Sequence, residues 1–125
     1  MNLNMNEFTD EDINRGLKAL PSQIASQAVK VNDAKTLWDM AKLNLKVERA
    51  KSLLKSEGTQ QIKGAQADIA TFEAEEKMIA KEGEYRLQDI KMEKLCNFFT
   101  AIRKAASLRV EEMKSLKDTI GGQRG

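Results

Sequence analysis

Acidic side chains concentrated in one short stretch are the first candidates for chemistry. Four carboxylates lie close together there with Glu-x-x-Glu-like spacing: Glu73, Glu75, Glu76 and Glu82. On a helix this spacing can place carboxylates on one face, as di-metal helical bundles require. Those sites normally add a histidine three residues further on, and the sequence contains no histidine. A solvated acidic face is therefore the simpler interpretation.

Other signatures of catalysis or cofactor binding are missing from the sequence. Gly58 and Gly64 lack the spacing and the preceding strand of a dinucleotide-binding or Walker-type loop. Ser22, Ser26 and Thr36 have no histidine to activate them. We therefore expect a protein that is not an enzyme and that uses neither a cofactor nor a metal.

A run of basic side chains is the stronger functional signal. Its members recur around a predicted helix and the loop that follows: Lys42, Lys46, Arg49, Lys51, Lys55 and Lys63. Such a run can line a surface that tracks the phosphates of a nucleic acid. Trp38, next to this run, can stack on a base, although tryptophan on an apolar helix face is more often part of a core. The alternative is a solvated face whose lysines pair with carboxylates of the same chain.

The net charge of +2 conceals alternating blocks of charge. Residues 30–63 carry eight basic and four acidic side chains, whereas residues 68–93 carry four basic and eight acidic ones. Residues 94–125 are basic again, with seven against three. This alternation favours antiparallel pairing of the second and third segments and leaves basic surface for an anionic partner.

The elements that position these side chains are predicted to be long helices. The chain is 41% apolar and 32% charged with a single proline, which is typical of extended helices. From about residue 68 to about residue 118 an apolar stripe recurs with helical spacing, interrupted by only one glycine, Gly83. A helix of that length is roughly 75 Å long. It needs a partner along its length, from this chain or from another copy.

The order of elements follows from capping and breaking residues. After an unstructured start over residues 1–8, Thr9 is a suitable N-cap for a short helix that ends at Pro21. A second helix follows to about Ser56, with a possible break at Asn32-Asp33. Gly58 suits a left-handed C-cap in a turn near residues 57–65. We predict three regions: an N-terminal arm and short helix (1–21), a long helical hairpin (22–120) and a flexible tail (121–125).

The predicted fold is all-α: a long antiparallel helical hairpin with a short N-terminal helix, self-associating into a bundle or coiled-coil-like oligomer. The last helix outreaches the second, so part of its stripe should meet other subunits. The candidate interface residues are Leu95, Phe98, Ile102, Ala105, Met113 and Leu116. No apolar run is long enough for a membrane span, no signal-peptide core follows Met1, and Cys96 is the only cysteine. We expect a cytoplasmic protein without a membrane partner.

Over residues 33–118 the chain resembles the UvsY-type recombination mediators of T-even phages. The similarity is carried by Leu37-Trp38, by the basic run Lys46-Val47-Glu48-Arg49-Ala50-Lys51 ahead of the glycine turn at Gly58, and by two stretches of the final helix. Those stretches are Glu82-x-x-Tyr85-Arg86-Leu87 and Ala105-Ala106-Ser107-Leu108-Arg109-x-Glu111-x-Met113. Where family members have aromatic residues before the turn, this chain has Leu53-Leu54-Lys55.

The resemblance implies a phage-encoded homo-oligomer that acts in the host bacterial cytoplasm. Such a protein binds single-stranded DNA and helps to load a recombinase onto strands coated by single-strand-binding protein. The matching DNA contacts would be Lys46, Arg49, Lys51 and Lys55. The alternative is a structural or adaptor coiled-coil protein, including a phage inhibitor of a host protein, that works through protein contacts.

Overall fold

The chain folds into α-helices. A computed structural model describes residues 8–123, and the side chains of residues 8–118, in three helices: α1 (Asp10–Lys55), α2 (Gln60–Ala70) and α3 (Phe72–Gln123). The described part of the chain contains no strand. The prediction of an all-α chain with two long helices is therefore confirmed. Most of the predicted unstructured start and the last two residues of the predicted tail lie outside the described residues.

The prediction of a separate short helix that ends at Pro21 is wrong, because α1 continues through this proline. A proline inside a helix removes one backbone hydrogen bond and crowds the carbonyl four residues earlier. Here Leu20 and Gln27, on either side of it, are both buried, and this tertiary packing outweighs the local cost. Asn32-Asp33 does not interrupt α1 either.

The start of α1 is capped as predicted, by Thr9. The Asp12 backbone N–H donates to Thr9 Oγ1 at 3.1 Å, and the Thr9 N–H donates to Asp12 Oδ2 at 3.1 Å. This reciprocal pair satisfies two backbone donors at the helix terminus. Phe8 does not belong to an unstructured start, because its side chain is buried against Phe98.

The long helices were predicted to be joined by a turn near residues 57–65, but the connection between α1 and α3 spans residues 56–71 and contains the helix α2. Gly58 has a φ of +116°, which confirms that the turn needs a residue tolerant of positive φ. α2 already begins at Gln60, where the N-cap Thr59 accepts a hydrogen bond from the Ile62 N–H. Only Thr71 separates α2 from α3, and its hydroxyl donates to the Ala67 carbonyl at 2.7 Å.

The chain divides into two compact units, and the first combines residues 1–26 with residues 92–125. Its core is apolar and is built from Phe8, Ile13, Leu20, Ile102 and Ala105. The ring centroids of Phe8 and Phe98 lie 5.8 Å apart in an edge-to-face arrangement. The Arg109 guanidinium donates hydrogen bonds to the Asp10 carboxylate and to the Phe8 carbonyl oxygen. Within this unit α1 and α3 run antiparallel, because Asp10 at the start of α1 bonds Arg109, whereas Gly16, further along α1, lies against Ile102.

The second unit comprises residues 27–91 and has a different interior. Its buried residues are small or polar: Gln27, Ala34, Ala67 and Thr71. The Gln27 amide donates to the carbonyl oxygen of Gln88 at 2.9 Å and to its side-chain oxygen at 2.8 Å. Further along α1, Trp38 stacks on Tyr85 with centroids 5.3 Å apart. The contact partners on α3 have falling numbers as those on α1 rise, so the helices are antiparallel here as well.

Candidate nucleic-acid interface

Four basic side chains form a row on α1 in the second unit. They are spaced by seven, four and three residues: Lys35, Lys42, Lys46 and Arg49. On a helix with 3.6 residues per turn this spacing keeps all four within a sector of about 60° and spreads them over roughly 21 Å. We call this set the basic row. An anionic polymer lying along the helix would meet the four cations in succession.

Two members of the basic row already have carboxylate neighbours. Lys42 Nζ lies 3.1 Å from Asp39 Oδ1, and Arg49 Nη1 lies 2.5 Å from Asp68 Oδ1. The four side chains that form these two ion pairs keep 41–67% of their surface exposed. Exposed pairs of this kind stabilise a fold by only about 0–1 kcal/mol. Among the described residues, Lys35 and Lys46 have no ion-pair partner. A phosphate can therefore compete for the row at little cost to the fold.

The structure separates the remaining members of the predicted basic run from this row. Lys51 and Lys55 line an open depression of about 520 Å³, together with Ser52 and Ser56. Glu48 and Glu57 also line it, and Lys51 Nζ lies 3.7 Å from Glu48 Oε1, so its charge is mixed. Lys63 is half-buried on α2. Of the six predicted basic residues, only Lys42, Lys46 and Arg49 share the row.

Trp38 is engaged within the chain. Its ring stacks on Tyr85 at an interplanar angle of 24°, and the Lys42 ammonium lies 3.9 Å from the ring centroid. The indole Nε1 is buried and has no acceptor among the described residues. A base could stack on Trp38 only after the Tyr85 contact had broken, so the row offers charge rather than an aromatic platform.

The residues predicted for the oligomer interface fall into two groups. Ile102 and Ala105 are 0% and 3% exposed in the core of the first unit, and Leu95 and Phe98 pack against that core. For Ile102 and Ala105 the interface assignment is corrected, because α1 of the same chain covers them. Met113 and Leu116 are 69% and 63% exposed.

Sequence reasoning left Lys35 out of the candidate set and treated Tyr85 only as a weaker analogue of Trp38. The signal for Lys35 was present, since Lys35, Lys42 and Arg49 repeat every seven residues. That repeat places three side chains on one face of a helix. The role of Tyr85 required the register between two helices distant in sequence, which no local pattern supplies.

The acidic stretch of α3 makes local ion pairs. Arg86 bonds Glu82 at 2.8 Å, and Lys81 lies 3.5 Å from Glu84. Within residues 8–118 no group of three side chains has an arrangement that could hold a metal ion. No helix among the described residues is sufficiently long and apolar to cross a bilayer.

Comparison with known proteins gives no relative from which a role could be transferred. The chain matches no family model, no curated protein and no solved structure.

Proposed function

We propose that this protein is a self-associating, non-enzymatic protein that binds single-stranded DNA and acts as an accessory factor in DNA recombination. The basic row on α1 carries the proposal. Four cations in one narrow sector of a helix suit the backbone of a nucleic-acid strand better than they suit a small anion, which one or two of them would hold.

The chemistry of the row determines what kind of binding to expect. Trp38 and Tyr85 stack on each other, so no aromatic ring beside the row is free for bases. Binding then depends on phosphate contacts and carries little sequence preference. Four contacts with a single strand would make log K fall against log salt with a slope of about −3, at roughly −0.7 per phosphate. A flexible single strand can adapt to a straight row of charges, which is why we favour it over a duplex.

The recombination role rests on the resemblance of residues 33–118 to UvsY-type mediators. It adds two protein partners, a recombinase and a single-strand-binding protein, and an oligomeric state that presents several basic rows to one strand. Multiple rows would raise the affinity without any new kind of contact.

A pair of matched double variants tests the DNA-binding proposal. Lys35→Gln with Lys46→Gln removes two unpaired cations from the row. Lys77→Gln with Lys91→Gln removes two exposed cations from α3 and changes the net charge equally. We expect the first variant to bind a labelled single-stranded oligonucleotide about 25-fold more weakly at 0.1 M salt, with its salt slope reduced by about 1.4. The control should bind like the unmodified protein. Fluorescence anisotropy over a salt series measures both quantities.

Two outcomes would overturn the proposal: equal losses in the two variants, or no binding by the unmodified protein at low salt. The exposed apolar side chains of the second unit would then favour the second candidate, an adaptor that works through protein contacts. In that case the basic row would serve only in surface ion pairs of the kind seen with Asp39 and Asp68.

A further inference from the structure

An open groove of about 360 Å³ lies in the first unit, where the start of α1 meets α3. Most of its lining is apolar or small: Phe8, Gly16, Ala19, Leu20 and Phe98. Its polar side chains are those of Asp12, Arg15 and Gln23. A cleft of this size can hold a ligand of several side chains. The groove is therefore a candidate docking surface for a mainly apolar occupant.

The start of the described chain reaches this groove at Phe8. Gly16 lies against Ile102, so on antiparallel helices Phe98, one turn before Ile102, lies one turn further along α1 than Gly16. The Phe8 ring contacts Phe98, although Phe8 directly precedes Thr9, the N-cap of α1. The chain at Phe8 has therefore folded back along α1. The segment that precedes Phe8 is joined to the chain beside the groove.

The seven residues before Phe8 lie outside the described part of the chain, and their sequence has a clear pattern. They read Met1-Asn2-Leu3-Asn4-Met5-Asn6-Glu7. In an extended chain, successive side chains point to opposite sides, so this pattern would place the apolar side chains of Met1, Leu3 and Met5 on one side and three asparagines on the other. The segment thus has one apolar side to bury.

The length of this segment matches the groove. Seven extended residues span about 23 Å at 3.3 Å per residue. The groove is lined along α1 from Asp12 to Gln23, which is roughly 16 Å at 1.5 Å per residue. A segment joined at Phe8 can therefore follow the whole groove.

The chemistry of the segment also suits the lining. Methionine is unbranched and fills irregular apolar space, and its thioether makes favourable contacts with aromatic rings such as those of Phe8 and Phe98. Asparagine amides contain both donors and an acceptor, so they can bond water or the polar side chains of Asp12, Arg15 and Gln23.

The covalent connection favours this segment over any free occupant. Because Phe8 itself lines the groove, residues 1–7 are held beside it by a linker of almost no length. A tether this short gives an effective concentration in the millimolar range. A separate molecule with a similar apolar side would have to exceed that concentration to compete.

We propose that residues 1–7 lie in extended form along the groove of their own chain, with Leu3 and Met5 against its apolar lining and the asparagines on the outer side. The segment would then add a third layer to the core of the first unit. This inference goes beyond the proposed function, which depends on the basic row in the second unit.

Two matched double variants test the contact. Leu3→Glu with Met5→Glu places two carboxylates on the apolar side of the segment, and Asn2→Glu with Asn4→Glu adds the same charge on the other side. Since unpaired carboxylates cannot enter an apolar groove, we expect the first variant to lower the Tm by about 5–10 °C. The control should change the Tm by less than about 2 °C. Thermal unfolding followed by circular dichroism measures both shifts.

A disulfide tests the position of the segment. Met5 precedes Phe8 by three residues, about 10 Å of extended chain, which places it close to Ala19. In a Cys96→Ser background, Met5→Cys with Ala19→Cys should close within one chain under mild oxidation. The control pair, Asn4→Cys with Ala19→Cys, should close about tenfold more slowly, because its sulfur points away from the groove. Electrophoresis without reducing agent separates closed monomers, open monomers and covalent dimers.

Three results would overturn the inference: equal Tm values for the two double variants, equal closure rates for the two cysteine pairs, or covalent dimers in place of closed monomers. The last result would mean that the segment of a second copy fills the groove. Oligonucleotide binding separates this inference from the proposed function. The Leu3 and Met5 variant should bind single-stranded DNA like the unmodified protein, because the basic row is unchanged.

Discussion

The two units use the same pair of helices in different ways. In the first unit, large side chains such as Phe8, Leu20 and Ile102 are buried between α1 and α3. In the second, the buried positions are held by Gln27, two alanines and Thr71, while large apolar residues lie outside. Both units expose apolar side chains, including Met113 and Leu116 in the first, but only the first unit buries large apolar side chains between its helices.

In the second unit, polar and aromatic contacts fix the register between α1 and α3. Buried Gln27 donates both of its described hydrogen bonds to Gln88, and a one-turn slip of the helices would leave its amide unpaired. The Trp38–Tyr85 stack fixes a second point of the register. A helix pair aligned by such contacts can stay in register with little apolar burial.

The largest contrast is expected from a matched pair of isoleucine truncations. Ile102→Ala removes a fully buried side chain and leaves a cavity, which should lower the free energy of unfolding by about 2–5 kcal/mol. Ile79→Ala acts on a side chain that is 57% exposed and should cost less than about 1 kcal/mol in the monomer. Urea denaturation, carried out at protein concentrations low enough to keep the chain monomeric, measures both free energies of unfolding. Equal losses would contradict the contrast between the units.

A pair of glycine substitutions should give effects of opposite sign. A Cβ on Gly16 would lie 3.1–3.3 Å from three atoms of the fully buried Ile102 side chain, which would have to shift to accommodate it. Overpacking of about 1–3 kcal/mol, less the gain of about 1 kcal/mol in helix propensity, predicts a net loss of about 1 kcal/mol for Gly16→Ala.

The control is Gly64, which lies inside α2 and where an added Cβ would have no neighbouring atom within 4 Å. Gly64→Ala should therefore raise the free energy of unfolding by about 0.5–1 kcal/mol. Thermal unfolding of the two variants gives the comparison directly. A stabilising Gly16→Ala would mean that the first unit is less tightly packed than the distances indicate.

Local signals in the sequence were sufficient for much of the fold. The 3.6-residue apolar period predicted two long helices, Thr9 marked the start of α1, and Gly58 marked a turn with positive φ. Pro21 was misleading because the preference of proline is local, while the packing of Leu20 that overrides it depends on distant residues.

The candidate site was less accessible to sequence reasoning. Charge spacing identified one run of six basic residues, and the structure then separated Lys51, Lys55 and Lys63 from Lys42, Lys46 and Arg49. A periodic apolar stripe does not reveal which helix covers it. For that reason Ile102 was assigned to an interface between subunits, although α1 of the same chain buries it.

The smallest contrast concerns the two threonine N-caps, one in each unit. Thr9 caps α1 with a reciprocal bond to Asp12, whereas Thr59 accepts one bond from the Ile62 N–H at 3.3 Å and has no acid opposite it. Replacing either threonine by alanine should cost about 1 kcal/mol near neutral pH.

The pH dependence distinguishes the two caps. Hydrogen bonds from the Thr9 backbone and side chain, with a smaller contribution from Arg15, hold the pKa of Asp12 below its ordinary value of 3.8. A carboxyl whose pKa is lowered by folding stabilises the fold above pH 3.8, and this stabilisation is lost as the pH falls through the folded pKa. Thr9→Ala should therefore cost less in acid than at neutral pH, while the cost of Thr59→Ala stays constant. Urea denaturation between about pH 6 and about pH 2.5 measures both differences, and parallel pH profiles for the two variants would show that Asp12 does not depend on its cap.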